Sequence, residues 1–314
     1  MHFFRMVLLI IAVCCLIYLG LLYLFFRLVF WNSDRRKAEG AGLPHGPHYD
    51  DVQAGMADLT ARMKVIPWEE VWIRSFDGTR LYGRYLEVNP GGPLQIQFPG
   101  YRGEAERDMA GGNRVCRENG INTLLVDQRA HGRSGGHGTT FGIRERRDCL
   151  AWVQYAIGRW GKDVQITLSG VSMGAATVLM AADLPLPVNV KGILADSPYT
   201  SPEDIICQVM RGYRIPVSVF WPMLRQAARI YGHFDLRESS AVSAVRGTEL
   251  PVLLIHGTDD LLVPPEMSQE IAAAGLHVQL ELFPGGAHGI SYLTDVGRYW
   301  RIELDFMEKV CRCV

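Results

Sequence analysis

The chain opens on an unbroken apolar run. From Met6 to Phe26 no side chain carries a charge, and Leu, Ile, Val, Tyr and Phe dominate. A helix rises about 1.5 Å per residue, so about 20 such residues cross the hydrocarbon core of a bilayer. A secretory signal has a shorter apolar stretch, about 7–15 residues, followed by small residues at a cleavage site. Here the run ends in Leu24, Phe25, Phe26 and Arg27, with no such site. The pattern predicts one uncleaved transmembrane helix within residues 1–31. The alternative, a buried core helix, would leave little polar face anywhere along the segment. Arg5 precedes the span, whereas Arg27, Arg35, Arg36 and Lys37 follow it. The positive-inside tendency then places the remainder of the chain on the cytoplasmic side.

Residues 32–67 read as a polar connector containing Gly and Pro, with a short helix from Asp50 to Lys64. Beyond it the pattern alternates between strands and helices. Val71–Ser75 and Leu81–Val88 form a hairpin around the turn pair Asp77-Gly78. Short apolar runs follow at Leu94–Phe98, Ile121–Val126, Gln165–Leu168, Lys191–Ala195, Val252–Ile255 and Gln279–Phe283. Such runs, bounded by Gly and Pro, suit strands buried on both faces. Arg144–Trp160 has apolar residues at helical spacing, and Ala175–Leu184 is small and apolar enough to pack closely on a sheet. The expected architecture is α/β: a mostly parallel eight-stranded sheet with helices on both faces. Ligands in such sheets bind beyond the carboxyl ends of the strands.

One interval breaks the rhythm. Pro198 to Leu250 holds no clear strand but many apolar and aromatic residues, among them Phe220, Trp221 and Phe234. A small helical cap over residues 199–248, lining an acyl pocket, would explain it, as would ordinary helix packing. The main body, cap included, would then span residues 68–314.

Composition narrows the classes. With 314 residues, 48% of them hydrophobic, the chain can bury a sizeable core. Its 32 basic and 33 acidic side chains leave no basic excess for nucleic acid. Seven cysteines, two of them inside the apolar run, do not form a disulfide framework. Cys311 and Cys313 are too few for a zinc site, which usually takes about four ligands.

The strongest chemical signal is Gly170-Val171-Ser172-Met173-Gly174. It lies between a predicted strand and a predicted helix, the setting of a nucleophile elbow. The flanking glycines leave room for a sharp turn, and the turn pushes the Ser172 hydroxyl out at the strand end. The Met173 amide then sits at a helix amino terminus, where its N–H lacks an internal partner and can hold an oxyanion. Serine needs a base. His288, in the glycine-rich loop after the last strand, can reach it, whereas His256 at a strand end reads as packing or hydrogen bonding. His131 and His137 read as structural or cleft-wall residues, and His233 and His277 have no supporting context. The base needs a carboxylate to hold its tautomer. Asp259 and Asp260 both qualify, and the residues alone do not choose between them.

His256-Gly257-Thr258-Asp259-Asp260-Leu261-Leu262-Val263-Pro264 resembles the His-Gly-x-x-Asp-x-x-Val-Pro segment of α/β-hydrolase-fold enzymes. The resemblance gives the acid role to Asp260 and implies the order Ser172, Asp260, His288. Pro99-Gly100-Tyr101-Arg102-Gly103 resembles the family's His-Gly-x-x-Gly loop, with Pro99 where His is usual. It makes the Tyr101 N–H the second oxyanion donor, with Met173 the first. Asp127 to Gly136 resembles a further loop of the family, in which Asp127 and Arg129 would pair to pin loops near the site. Ser134 and Asp196 read as scaffold. The chain is similar to single-pass membrane α/β hydrolases of the Bem46-like and serine-aminopeptidase-like kind, over about residues 68–310. The resemblance implies a serine hydrolase acting on an apolar ester or thioester, with no metal or organic cofactor and no obligate protein partner. An aminopeptidase, with Glu203 or Asp204 receiving the substrate amine, is the enzymatic alternative. A non-catalytic membrane scaffold is the other.

Overall fold

A computed structural model describes residues 1–32 and 49–311. Arg35, Arg36, Lys37 and Cys313, which entered the readings of orientation and metal binding, lie outside the described residues. The apolar run forms α1, His2–Val29. Up to Ile17 this helix stands almost bare. From Leu22 onward one stripe turns inward: Leu22 and Phe26 are buried, Phe25 and Val29 partly so. Spacings of three and four residues place these on one face. Further on, a short 3-10 turn at Asp50–Val52 leads into α2, Gln53–Lys64, where the sequence placed a helix. Its Leu59 and Met63 pack on the body.

The body is built on β1 (Glu69–Arg74), β2 (Arg80–Leu86), β3 (Leu94–Phe98), β4 (Asn122–Val126), β5 (Ile166–Val171), β6 (Val190–Asp196), β7 (Val252–Gly257) and β8 (Val278–Phe283). They form one eight-stranded sheet in the order β1-β2-β4-β3-β5-β6-β7-β8. β2 pairs antiparallel with β1 and β4, and every other neighbour is parallel. This is the α/β-hydrolase fold. β3, β4 and β7 are buried along their whole length; the two polar residues of β3, Gln95 and Gln97, are buried too, with Gln97 donating to Gln95 and Gln95 to Glu303 of α10.

Helices cover both faces. They run α3 (Ala110–Glu118), α4 (Glu145–Trp160), α5 (Met173–Ala181), α6 (Pro202–Gly212), α7 (Val217–Ala227), α8 (Ala241–Gly247), α9 (Pro265–Ala274) and α10 (Val296–Cys311). α4, α5, α8 and α9 fill one face, whereas α2, α3 and α10 fill the other. Two glycines let large rings sit on the sheet. A Cβ at Gly83 would meet the Trp152 ring of α4 at 2.9 Å, and one at Gly192 would meet Phe306 of α10 at 2.8 Å.

Between β6 and β7 lie α6, α7, a π-helical turn at Ala228–Gly232 and α8, with no strand. α6 and α7 lean over the carboxyl ends of the strands. Their Ile205, Trp221 and Leu224 share a cluster with Phe141 and Tyr199, and with Leu22, Phe26 and Phe30 from the α1 segment. The end of the apolar helix is therefore part of the packed interior.

Candidate active site

Ser172 stands between β5 and α5 with φ +56° and ψ −116°. A side chain in that conformation is strained, and the surroundings hold it there. A Cβ on Gly170 would fall 2.3 Å from the carbonyl carbon of Gly174, and one on Gly174 would fall 2.0 Å from the Phe98 carbonyl oxygen. Only glycine fits at either position, so the elbow is pressed against the end of β3. The Ser172 N–H donates to the Asp196 carbonyl at 2.8 Å.

β5, β6, β7 and β8 are parallel neighbours, so their carboxyl ends share one edge. This register brings Ser172, Asp260 and His288 together. His288 Nε2 lies 2.9 Å from Ser172 Oγ, and Nδ1 lies 2.7 Å from Asp260 Oδ2. Gly285 and Gly289, at φ +75° and +68°, turn the loop that carries His288. Asp260 is buried, whereas Asp259 is exposed and accepts from the neighbouring Thr258 hydroxyl. Oδ1 of Asp260 also accepts the amides of Leu262 and Val263 at 3.0 and 2.8 Å. Burial alone would raise this carboxyl, but hydrogen bonds from His256, His288 and the Val263 backbone outweigh it and hold it at about 2.

His256 occupies the packing position expected of it and also steadies Asp260. Its Nε2–H faces the Val263 carbonyl at 2.9 Å and Asp260 Oδ2 at 3.2 Å. The Ser268 hydroxyl donates to its Nδ1 at 2.6 Å.

The loop after β3 is fixed on both sides of Tyr101. The Gly100 N–H donates to Asp108 Oδ2 at 3.0 Å, and the Arg102 N–H to His131 Nε2 at 2.7 Å. His131 Nδ1–H in turn donates to the Arg129 carbonyl at 2.8 Å. Burial lowers the pKa of His131, keeping the imidazole neutral and able to accept. Between these two anchored amides, the Tyr101 N–H has no acceptor among the described residues. Met173 takes the first position of α5, where an N–H lacks an intrahelical partner. A Cβ on Gly100 would sit 3.5 Å from Ser172 Cβ, so the loop lies against the elbow. Pro99, the departure from the family's loop, has its carbonyl held by Gln128 Nε2 at 2.6 Å.

The expected pairing of Asp127 with Arg129 gives way to three other ion pairs. Arg129 binds Asp148 at 2.6 Å and Asp77 at 2.9 Å, while Asp127 binds Arg84 at 2.8 Å. The two side chains go to different elements, Arg129 to α4 and the β1–β2 turn, Asp127 to β2. Ser134 is buried, donating to the Asp127 carbonyl and accepting the Tyr82 N–H. Asp196 accepts from Ser197 and Ser291 below the His288 loop. His137 stacks on Trp31 just past α1. His233 adopts a left-handed turn after the π helix, and the His277 carbonyl accepts from Val252 at the far end of β7. Sequence reasoning missed Tyr49, whose O–H donates to the His288 carbonyl at 3.1 Å; burial pushes this phenol up to about 12.

Above Ser172 opens a cavity of about 780 Å³. The body contributes Tyr101, Phe141 and Tyr199, the helices between β6 and β7 contribute Ile205, Met210 and Phe220, and α1 contributes Phe25, Leu28 and Val29. Arg102 and Arg214 also line it, and no carboxylate does among the described residues. Glu203 is bound to Arg237, and the Asp204 carboxylate accepts the Thr200 and Ser201 hydroxyls at the start of α6.

Fold and site geometry define an α/β-hydrolase. More narrowly, the chain belongs to the prolyl oligopeptidase family, whose model matches residues 137–312, a stretch containing Ser172, Asp260 and His288. Among curated proteins it is 28% identical over 196 residues to the uncharacterized protein YqkD of Bacillus subtilis, covering 61% of this chain and 63% of that one, less than two thirds of its length. It is 26% identical over 261 residues to the α/β hydrolase domain-containing protein WAV2 of Arabidopsis thaliana, covering 79% and 81%. Among solved structures it is similar to the Pyrococcus furiosus esterase Pf2001, with a TM-score of 0.65 at 22% identity over 81% of this chain and 94% of that one. It is also similar to Est1E of Butyrivibrio proteoclasticus with ferulic acid bound, with a TM-score of 0.59 at 24% identity over 74% and 98%. These likenesses support the fold.

Proposed function

We propose that the chain is a membrane-anchored serine hydrolase that cleaves the ester or thioester of an apolar acyl group through an acyl-enzyme. The observation that carries this reading is His288, bridging Ser172 Oγ and the Asp260 carboxylate at the floor of a large apolar cavity. With Nδ1–H donated to Asp260, Nε2 is free to accept. It takes the Ser172 proton as Oγ attacks the acyl carbonyl carbon. The Tyr101 and Met173 amides receive the oxyanion. Collapse of the tetrahedral species expels the alcohol or thiol, which leaves with the proton from Nε2. Water then gives a proton to His288 and attacks the acyl-enzyme, releasing the acid and restoring Ser172. No metal or organic cofactor enters this cycle.

The lining favours an acyl group over an amino-terminal residue. A free substrate amine wants a carboxylate, and the only charged groups at the cavity are Arg102 and Arg214 among the described residues. Glu203 and Asp204 are engaged elsewhere. In this reading α1, long and bare to Ile17, crosses the bilayer, and the helices between β6 and β7 act as the cap. The catalytic domain lies on the cytoplasmic side, where the cationic flank belongs.

Two measurements test the proposal. A fluorophosphonate probe labels the wild type and leaves Ser172→Ala unlabelled; equal labelling of both removes Ser172 from its role. A panel of p-nitrophenyl acyl esters and aminoacyl anilides is turned over on the ester side. Turnover of the anilides alone makes the protein a peptidase, and no labelling or turnover at all leaves a scaffold.

A further inference from the structure

The apolar helix contributes to the site itself. Phe25, Leu28 and Val29 form one wall of the cavity. That wall is bolted to the body: the Tyr101 O–H donates to the Val29 carbonyl at 2.9 Å, and Arg102 donates to the Leu28 and Trp31 carbonyls at 3.3 Å. Farther along α1, the Tyr18 O–H donates to Gln226 at 2.6 Å, and the Tyr231 O–H to the Leu19 carbonyl at 2.9 Å. Phe25 meets Phe220 edge to face, with centroids 5.6 Å apart. α7 thus runs antiparallel beside α1, from the level of Phe25 to the level of Tyr18.

Length then fixes depth. His2 to Ile17 is the part of α1 that stands clear of the body. About 16 residues at about 1.5 Å each span about 24 Å, against about 30 Å of hydrocarbon. To cross, α1 must also sink its next turn, Tyr18 to Leu21, and the end of α7 and the π turn go with it because they are hydrogen-bonded there. Tyr18, Tyr23 and Tyr231 gather at this level, with the last two rings 5.3 Å apart, and amphipathic rings of this kind favour the membrane interface. The polar layer adds about 5–7 Å on each side, or about four residues of helix, which brings its outer edge to the cavity-lining turn at Phe25 to Val29. Tyr213, Ile215 and Leu262 at the mouth, with Val219 close by on α7, expose their apolar side chains on this same flank. A leaflet would cover them.

We infer that the site draws its substrate sideways out of the bilayer, the acyl chain sliding between α1 and the cap helices with α1 as its wall. The substrate class is a long-chain acyl ester resident in the membrane. Its ester group, at rest at the boundary between hydrocarbon and headgroups, rises through the polar layer to the cavity at Phe25 to Val29 while its chain stays between α1 and α7. This inference rests on the serine-hydrolase reading above, and the test separates the two. The full chain in phosphatidylcholine vesicles is treated with a long-chain alkyl fluorophosphonate carrying a diazirine along its chain. Ser172 Oγ displaces fluoride and forms the phosphonate ester, and light then inserts the chain into whatever lies beside it. Adducts at Phe25 to Val29 and on α6 or α7 are expected, all lost in Ser172→Ala. Labelled Ser172 with adducts confined to the body overturns the inference and leaves the hydrolase intact. An unlabelled Ser172 overturns both. As a second arm, Ile230→Asp places a charge on the immersed flank, beside the Tyr231 that bonds the Leu19 carbonyl, where a carboxylate is strongly disfavoured. Hydrolysis of vesicle-borne p-nitrophenyl palmitate is expected to fall at least about tenfold while hydrolysis of dissolved p-nitrophenyl butyrate stays within about twofold. Equal rates before and after, or equal loss of both, overturns entry from the leaflet, which requires the two to split.

Discussion

The floor and the walls of the cavity are held by different forces. Around Ser172 the positions are set by hydrogen bonds between short loops: Asp260 accepts two amides and faces two imidazoles, and Gly100 and Arg102 each have an assigned acceptor. The walls are aliphatic and aromatic side chains from α1, α6 and α7, meeting by contact alone over most of their area. Directional bonds fix atoms to fractions of an ångström, whereas apolar contacts fix volume and tolerate exchange at similar size. The floor should therefore govern rate and the walls selectivity.

Mutations can break that division. The largest effect is expected from Asp260→Asn. The tautomer of His288 is lost, and kcat on a soluble short-chain ester should fall about 10³–10⁴-fold with KM little changed. A loss below tenfold would show that the carboxylate does not orient the base. Next comes His131→Phe, a positioning change. It releases the Arg102 amide, so the neighbouring Tyr101 N–H drifts, and kcat should fall about a hundredfold. The readout that separates positioning from simple instability is KM, which should hold while the folded fraction, followed by circular dichroism, stays near wild type.

Stability against pH probes the floor more gently. The folded pKa of Asp260 is depressed to about 2. The carboxylate therefore adds stability that is fully present above its unfolded pKa of about 4 and is lost as pH falls toward 2, in all about 2 kcal/mol. Asp260→Asn should flatten that limb of the unfolding curve; an unchanged limb would assign it to other carboxylates. The smallest effect belongs to the wall. Leu28 is 61% exposed, so Leu28→Ala should change stability by less than about 0.5 kcal/mol. It should shift chain-length preference, changing the ratio of long- to short-ester kcat/KM by about fivefold, the order expected for trimming an apolar contact. A change in kcat on both esters alike would place Leu28 with the floor.

The same contrast explains what the sequence disclosed. Buried strands show themselves as short apolar runs, and all eight appear within a few residues of where those runs lie. The elbow is legible because both glycines are sterically required. Asp260 and Asp259 were indistinguishable from residue type alone, since burial and the amides of Leu262 and Val263 make the difference, and the family spacing resolved them. Roles carried by backbone atoms stayed hidden. Nothing about His131 announces that it accepts the Arg102 N–H, and nothing about Tyr49 announces its reach to His288. Asp127 and Arg129 look like partners because they are close in the chain, but Arg84 and Asp148, distant in sequence, compete successfully for them. The inward stripe on α1 escaped notice because an apolar helix reads the same whether lipid or protein covers it.

That docked stripe has a consequence for how the molecule is made. α1 is synthesised before the body it docks on, and Tyr18 and Leu19 find their partners 208 and 212 residues later in the chain. Contacts so distant in sequence form late, after a long loop has closed. With α1 in a bilayer, as proposed above, Leu22 and Phe26 can until then rest against lipid tails, where an apolar side chain meets no water and seeks no wrong partner. In the membrane-anchored reading proposed above, the bilayer serves as a holding place for a piece of the protein's own interior, and a wall made before the body is installed after it.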